Sequence, residues 1–411
     1  MILGKKVPEI RFHGFSHDWQ NKEIGSILGE TKRPVELLDN ELYQLVTVKR
    51  RNEGVVPRAT LKGKDILVKS YYGIKAGDYL ISKRQVVHGA NGIVPESLDN
   101  AVVSNEYLVL TDSNEITAKF WTVISKRPEM HKLFFISSYG VDIEKLVFDV
   151  TDWKGRAITI PGVAEQNVIT DHFQKLDGLI NQHQQKHDKL SSIKKAMLGK
   201  MFPKQGETAP EIRFKGFSGG WEEKPLSDIA QVIDPHPSHR APDEVDNGVP
   251  FIGIGDISDA GLLDFKNVRI VPQDIYNEHS ARYTIENGDF AYGRVASIGK
   301  IIDLSNNVGK KYTYSPTLAI VKPKSLYPAF LKSYLGTEVF KGHVDNKTSG
   351  STRKSLGVQD FRNLPVLFPV VDEQTAIGNY FHKLYALINQ HQQQITKLNN
   401  IKQACLSKMF V

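Results

Sequence analysis

Two stretches of the chain place apolar residues at alternating steps of four and three. Ile169, Phe173, Leu176, Ile180, His183, His187, Leu190, Lys194, Met197 and Met201 form one stripe; Ile377, Phe381, Leu384, Ile388, His391, Ile395, Leu398, Lys402, Cys405 and Met409 form the other. This is the spacing of a heptad seam, and it predicts a helix of about 33 residues, roughly 50 Å long, at each place. Neither stripe is expected to find cover on its own lobe, so the two helices are expected to pack on each other. His183 and His391 read as a polar layer fixing helix register. Pro161 and Pro369 precede the helices, and Glu165-Gln166 and Glu373-Gln374 fall in their first turns, where acidic side chains suit the helix dipole.

Elsewhere the apolar runs are short. Tyr43–Val48, Ile66–Val68, Tyr79–Ile81, Tyr107–Leu110, Phe251–Ile254 and Leu318–Val321 are bounded by Gly, Asp, Asn or Pro and read as strands, with helical segments near 115–137 and 328–341. The regions between the seams are therefore mixed and rich in strands.

The chain also repeats itself. Pro8-Glu9-Ile10-Arg11-Phe12-x-Gly14-Phe15-Ser16-x-x-Trp19 returns as Pro210-Glu211-Ile212-Arg213-Phe214-x-Gly216-Phe217-Ser218-x-x-Trp221, with nine of twelve positions identical. Leu179-Ile-Asn-Gln-His-Gln-Gln185 returns as Leu387-Ile-Asn-Gln-His-Gln-Gln393, and Lys200-Met201-Phe202 as Lys408-Met409-Phe410. The interiors diverge, apart from echoes such as Gly77-Asp78-Tyr79-Leu80 against Gly288-Asp289-Phe290-Ala291. A kept frame with varied contents points to two lobes of one fold that read different targets.

The length of 411 residues suits two lobes. Lysine and arginine outnumber acidic residues by 53 to 46, a modest bias towards an anionic partner such as nucleic acid. A single cysteine, Cys405, excludes an internal disulfide framework and a multi-cysteine zinc site. With no signal-peptide pattern at Met1–Pro8 and no long apolar span, the expected location is cytoplasmic.

The segments that resemble catalytic motifs are incomplete. Phe251-Ile-Gly-Ile-Gly255 suggests a glycine loop for S-adenosylmethionine, but the chain has no Pro-Pro dipeptide of the kind that holds a flipped adenine. Gly293–Lys300 has the wrong spacing for a phosphate loop and Ile301 where a magnesium-binding hydroxyl belongs. Asp256 with Asp264 and Lys266 makes only a loose nuclease pattern. His183 and His187 lack a third metal ligand. No catalytic and no metal residue is assigned. Candidate DNA contacts are Lys49, Arg50, Arg51, Lys83, Arg84, His88 and Asn91 in the first lobe, and Arg294, Ser297, Lys300, Lys310, Lys311, Tyr312, Ser351, Thr352, Arg353 and Lys354 in the second. These residue types can hold phosphates and read base edges.

In this order, and twice over, the motifs resemble those of the specificity subunits of type I restriction-modification systems across essentially the whole chain. The matching segments are 8–19 and 210–221, Pro161/Glu165-Gln166 and Pro369/Glu373-Gln374, the Gly-Asp strands at 77–84 and 288–294, and residues 350–356. The first lobe departs from the pattern, with Tyr139-Gly140-Val141-Asp142 in place of Gly350-Ser351-Thr352. The resemblance implies a mixed α+β fold: target-recognition domains at 1–160 and 204–368, held apart by antiparallel helical spacers at 161–203 and 369–411 in a pseudo-twofold tandem repeat. It implies that each domain reads half of a bipartite site in double-stranded DNA. The helices would set the spacing and dock two methyltransferase (modification) subunits. The chain itself would be non-catalytic and bind no cofactor, with S-adenosylmethionine on the modification subunit. The assembly would be an adenine-specific methyltransferase and, with restriction subunits, an ATP-dependent endonuclease. A stand-alone enzyme and a purely structural coiled-coil adaptor are the alternatives from other classes; S-adenosylmethionine titration and DNA affinity separate them.

Overall fold

The two heptad stripes fold as helices of 38 residues each, α1 (Val163–Lys200) and α2 (Val371–Lys408). The structure is a computed structural model and describes residues 7–68, 70–236, 238, 240–257, 263, 267–350 and 354–411. The chain divides into two compact units, one of Met1–Gln182 with Ile395–Val411 and the other of His183–Gln394. Each unit therefore holds a segment of both long helices.

In unit 1, strand Gln20–Glu23 pairs antiparallel with Ala157–Ile160. A four-stranded antiparallel sheet follows, in the order Gly29–Glu30, Tyr107–Thr111, Tyr79–Ser82, Asn91–Ile93. Two helices pack beside it, Ala118–Ile124 and Pro128–Ile136; the hydroxyl of Thr117 caps the first by accepting from the Phe120 amide. A second sheet of five strands carries the long hairpin Leu42–Lys49/Gly54–Lys62.

Unit 2 repeats this plan. Strand Glu222–Pro225 pairs with Pro365–Phe368, and the four-stranded sheet runs Ala230–Ile233, Leu318–Pro323, Phe290–Gly293, Ile301–Asp303. Helices Pro328–Leu335 and Glu338–Asp345 stand where the first pair stands in unit 1, with the threonine cap now on the second helix, Thr337 accepting from the Phe340 amide. Among the described residues its second sheet has three strands, Arg269–Val271, Val249–Ile252 and Thr313–Tyr314.

The Gly-Asp echo marks the central strand of both four-stranded sheets. Gly77 and Gly288 have φ of +90° and +95°, which only glycine adopts without strain. Asp78 and Asp289 are buried; Asp78 accepts from Arg33 at 2.6 Å and from the Lys75 amide, Asp289 from Lys322 at 2.6 Å and from the Glu286 amide.

Burial along α1 and α2 follows the predicted seam. One expectation is corrected. Ile169, Phe173 and Leu176 are buried in the core of unit 1 together with Trp19, Phe120 and Trp121, and Ile377 and Phe381 in the core of unit 2 with Trp221 and Phe330. The first turns of each helix thus cover their stripe on their own lobe, because the short helices after the central sheet leave an apolar bed there. Further along, each unit pairs its two helix segments antiparallel. In unit 1, Leu398 and Cys405 pack against the core that holds Leu176, and Lys402 pairs with Asp177. Ile395 of unit 1 is buried and Ile180 half-buried; in unit 2, Leu384 and Ile388 are buried and Leu190 and Met197 half-buried. His183 Nδ1 lies 2.9 Å from His391 Nδ1, so one ring donates and the other accepts.

The helix ends close each unit. Phe410 meets Trp19 edge-on at 5.8 Å, and Phe202 meets Trp221 at 5.9 Å. The Ile10 amide donates to the Lys408 carbonyl and the Ile212 amide to the Lys200 carbonyl, satisfying helix-terminal acceptors that would otherwise be orphaned.

Candidate nucleic-acid interface

In unit 1, three segments far apart in sequence converge beyond the central strand Tyr79–Ser82. The hairpin tip bends through Arg51 and Asn52, both with positive φ, and its amides donate to the carbonyls of His88 and Gly89 at 2.7 and 2.8 Å. Gly92 permits this approach, since a Cβ there would lie 2.8 Å from the Gly54 Cα. The third segment is the loop from Tyr139 to Leu146. The Arg50 guanidinium donates to Gln85 and Glu144, and His88 Nε2 lies 3.3 Å from the Ile143 carbonyl. Six of the first-lobe candidates, Lys49, Arg50, Arg51, Lys83, Arg84 and His88, are thereby gathered. Lys49 and Arg51 are exposed, Arg84 pairs with Glu106, and Lys83 donates to the Asn105 carbonyl.

Unit 2 builds the corresponding place with other residues. Its central strand runs into the turn 294–299, where Ala296 has φ +64°. Val295 and Ser349 both bridge to Ser355. The Leu356 amide donates to the Arg294 carbonyl at 2.9 Å, just as the Phe148 amide donates to the Lys83 carbonyl at 3.0 Å. Phe148 and Leu356, with the described residues just before each, therefore occupy equivalent positions. Ser297 and Lys354 are exposed there; Ser351, Thr352 and Arg353 lie outside the described residues, as do Asp264 and Lys266. Lys300 reaches the Ile257 carbonyl, while Lys310, over the Tyr312 ring, and exposed Lys311 stand just before strand Thr313–Tyr314.

Two candidates are corrected. Asn91 is buried and its carboxamide oxygen accepts from the Tyr79 hydroxyl at 2.6 Å, so it belongs to the core. Arg294 is also buried: its guanidinium donates to the carbonyls of Leu356 and Pro316 at 3.0 Å and to Asp234 at 3.3 Å. Burial lowers its pKa and Asp234 opposes that shift. It ties three segments behind the turn instead of facing outward.

Sequence reasoning missed a clamp shared by the two frames. Arg11 donates to both oxygens of Glu165 at 2.7 and 2.8 Å and to the His17 carbonyl; Arg213 does the same to Glu373 at 2.6 and 2.6 Å and to the Gly219 carbonyl. Gln166 receives the Thr117 amide and Gln374 the Tyr327 amide. The Glu-Gln pair thus locks each long helix to its lobe. The signal was present, since Arg11/Arg213 and Glu165/Glu373 both survive the duplication.

A buried histidine pair is peculiar to unit 2. His236 Nε2 faces the Arg240 carbonyl at 3.1 Å, which leaves Nδ1 to accept from His279 Nε2 at 3.0 Å. Burial, and then the neighbouring His236, push His279 down to about 4. At the seam of the long helices, burial and then His183 also lower His391. Among the described residues no group of three or more His, Cys, Asp or Glu could hold a metal ion, and no helix is long and apolar enough to cross a membrane.

Comparison with known proteins follows the same lines. Residues 218–400 match the family of the type I restriction modification DNA specificity domain. The chain is 20% identical to the type I restriction enzyme EcoBI specificity subunit of Escherichia coli, over 62% of this chain and 57% of that protein. It is likewise 20% identical to the type I restriction enzyme MjaVIII specificity subunit of Methanocaldococcus jannaschii, over 99% of this chain and 93% of that one. The chain thus spans little more than half of the first relative and nearly all of the second. In fold it is similar to the S subunit of a type I restriction-modification system from M. genitalium, with a TM-score of 0.58, 13% identity, and coverage of 98% of this chain and 99% of that one.

Proposed function

We propose that this chain is a specificity subunit of a type I restriction-modification system, like the relatives it resembles, and that each of its units reads one half of a bipartite sequence in double-stranded DNA. The observation that carries this reading is the pair of equivalent surfaces beyond the central strands. Both hang on the same backbone bond, Phe148 to Lys83 and Leu356 to Arg294, yet they present different side chains. A kept support with exchanged contents is what two different half-sites require. Lys49, Arg51, Lys311 and Lys354 are exposed cations for phosphates, and Ser297 is a small polar group able to approach closely.

The frame has a second role, docking two copies of one methyltransferase subunit, which carries the S-adenosylmethionine. Identity across the duplication extends beyond the buried residues. Ile10 and Ile212 are 48% and 38% exposed, and Leu179 and Leu387 are both 44% exposed. Core packing does not demand identity at such positions; a partner bound twice does. The long helices set the gap between half-sites. Restriction subunits, where they exist, join the same assembly, and the chain supplies no catalytic group.

The test is reconstitution. The purified chain is expected to bind DNA without methylating or cutting it, and adenine methylation at one bipartite sequence is expected once a methyltransferase subunit is added. Methyl transfer or cleavage by the chain alone would overturn the reading.

A further inference from the structure

The two equivalent loops differ most in polarity. In unit 2 the sequence at 349–355 consists of small polar and basic residues. In unit 1 the loop exposes apolar side chains: Tyr139 is 62% exposed, Val141 fully exposed and Ile143 56% exposed. This exposure is built into the fold. Asp142 accepts from the Glu144 amide and sets a turn at Ile143–Lys145, Leu146 is buried beneath, and Gly140 lies where a Cβ would press on Leu146. Arg50 and His88 fasten the loop to the hairpin tip and the central turn.

The surroundings indicate what would cover these side chains. Lys49, Arg51, Lys83 and Lys145 flank the loop without a carboxylate partner among the described residues, against Glu53 and Asp142. An apolar tip within a cationic rim fits the base edges of a polyanion better than another protein's apolar face. In the major groove, the one apolar feature that distinguishes bases is the thymine 5-methyl group.

We infer that unit 1 reads its half-site partly through apolar contact of Val141 and Ile143 with thymine methyl groups. This rests on the DNA-reading assignment above.

The experiment uses the full chain assembled with its methyltransferase subunit, and the mapped site with each thymine in turn replaced by deoxyuridine, which lacks only the methyl group. For the unaltered chain, at least one replacement in one half-site is expected to weaken binding about three- to fivefold, the worth of one buried methyl group. In the variants Val141→Ala and Ile143→Ala that penalty should shrink towards one, while binding to unsubstituted DNA remains measurable. Replacements in the other half-site serve as the internal control and should not respond to either variant. No penalty at any position in either half-site, or a penalty unchanged in both variants, would overturn the inference while leaving the DNA-reading assignment standing. Failure of the assembly to bind any DNA would overturn that assignment instead.

Discussion

Unit 1 and unit 2 solve the same structural problem with the same frame and then diverge where the frame ends. Both lock a long helix with an arginine-carboxylate clamp, close on a phenylalanine against a tryptophan, and centre a four-stranded sheet on a glycine with φ near +90°. Outside those points even equivalent jobs are done differently. The buried aspartate of the central strand is neutralised by Arg33 from an early loop in unit 1 but by Lys322 from the neighbouring strand in unit 2. Among the described residues, the sheet that carries the hairpin in unit 1 has five strands, against three in the second sheet of unit 2. Under the proposed function, the difference separates residues that would maintain an assembly from those free to change its target.

The clamp offers the sharpest way to break the equivalence. Arg11→Ala and Arg213→Ala each strand a nearly buried carboxylate, Glu165 or Glu373. Loss of one partner of such a pair costs about 3–5 kcal/mol. Urea unfolding followed separately in the two units, by hydrogen exchange, should show each variant lowering its own unit by a similar amount. A neutral result for one of them would mean that the frames are alike in geometry but not in energetics.

Acid should divide the units next. His279 is held neutral, well below its ordinary value, so its contribution is present above about pH 6.5 and is lost as pH falls towards 4. The full shift corresponds to about 3 kcal/mol. Unit 2 should therefore lose protection more steeply than unit 1 between those values, and His279→Phe should flatten its slope. An unchanged slope in that variant would assign the acid sensitivity elsewhere.

The smallest effects concern individual cations. Lys49→Ala with Arg51→Ala in unit 1, or Lys311→Ala with Lys354→Ala in unit 2, should weaken binding without changing the methylated sequence. For every phosphate that a variant no longer neutralises, the slope of log affinity against log salt should fall by about 0.9. A changed sequence preference at one half-site would promote those residues from phosphate holders to base readers.

The periodic parts of this protein were the most legible. The seam from Ile169 to Met201 and from Ile377 to Met409 is followed by burial along both helices, because a heptad stripe has one way to hide. What covers its first turns was not legible. Ile169, Phe173, Ile377 and Phe381 look the same in sequence whether a partner helix or a lobe receives them, and the lobe does. The candidate surface was legible in part. Lys49, Arg51 and Lys354 stand exposed. Arg294 and Asn91 read as surface residues by type, but their polar groups are occupied inside the fold by backbone carbonyls and by the Tyr79 hydroxyl. The pairings that hold the candidate surface and the helix clamp, Arg50 with Glu144 and Arg11 with Glu165, join residues 94 and 154 positions apart, a separation at which local pattern carries no information.

The proposed division of labour is a common frame with interiors that carry the target. It is tested most directly by giving both units the same interior: residues 24–157 are replaced with residues 226–365, and the methylated sequence is mapped in the reconstituted assembly. The expected result is a methylated site whose two halves have become the same sequence, that of the unit 2 half-site. A folded, active assembly that still methylates the original two-part site would contradict it.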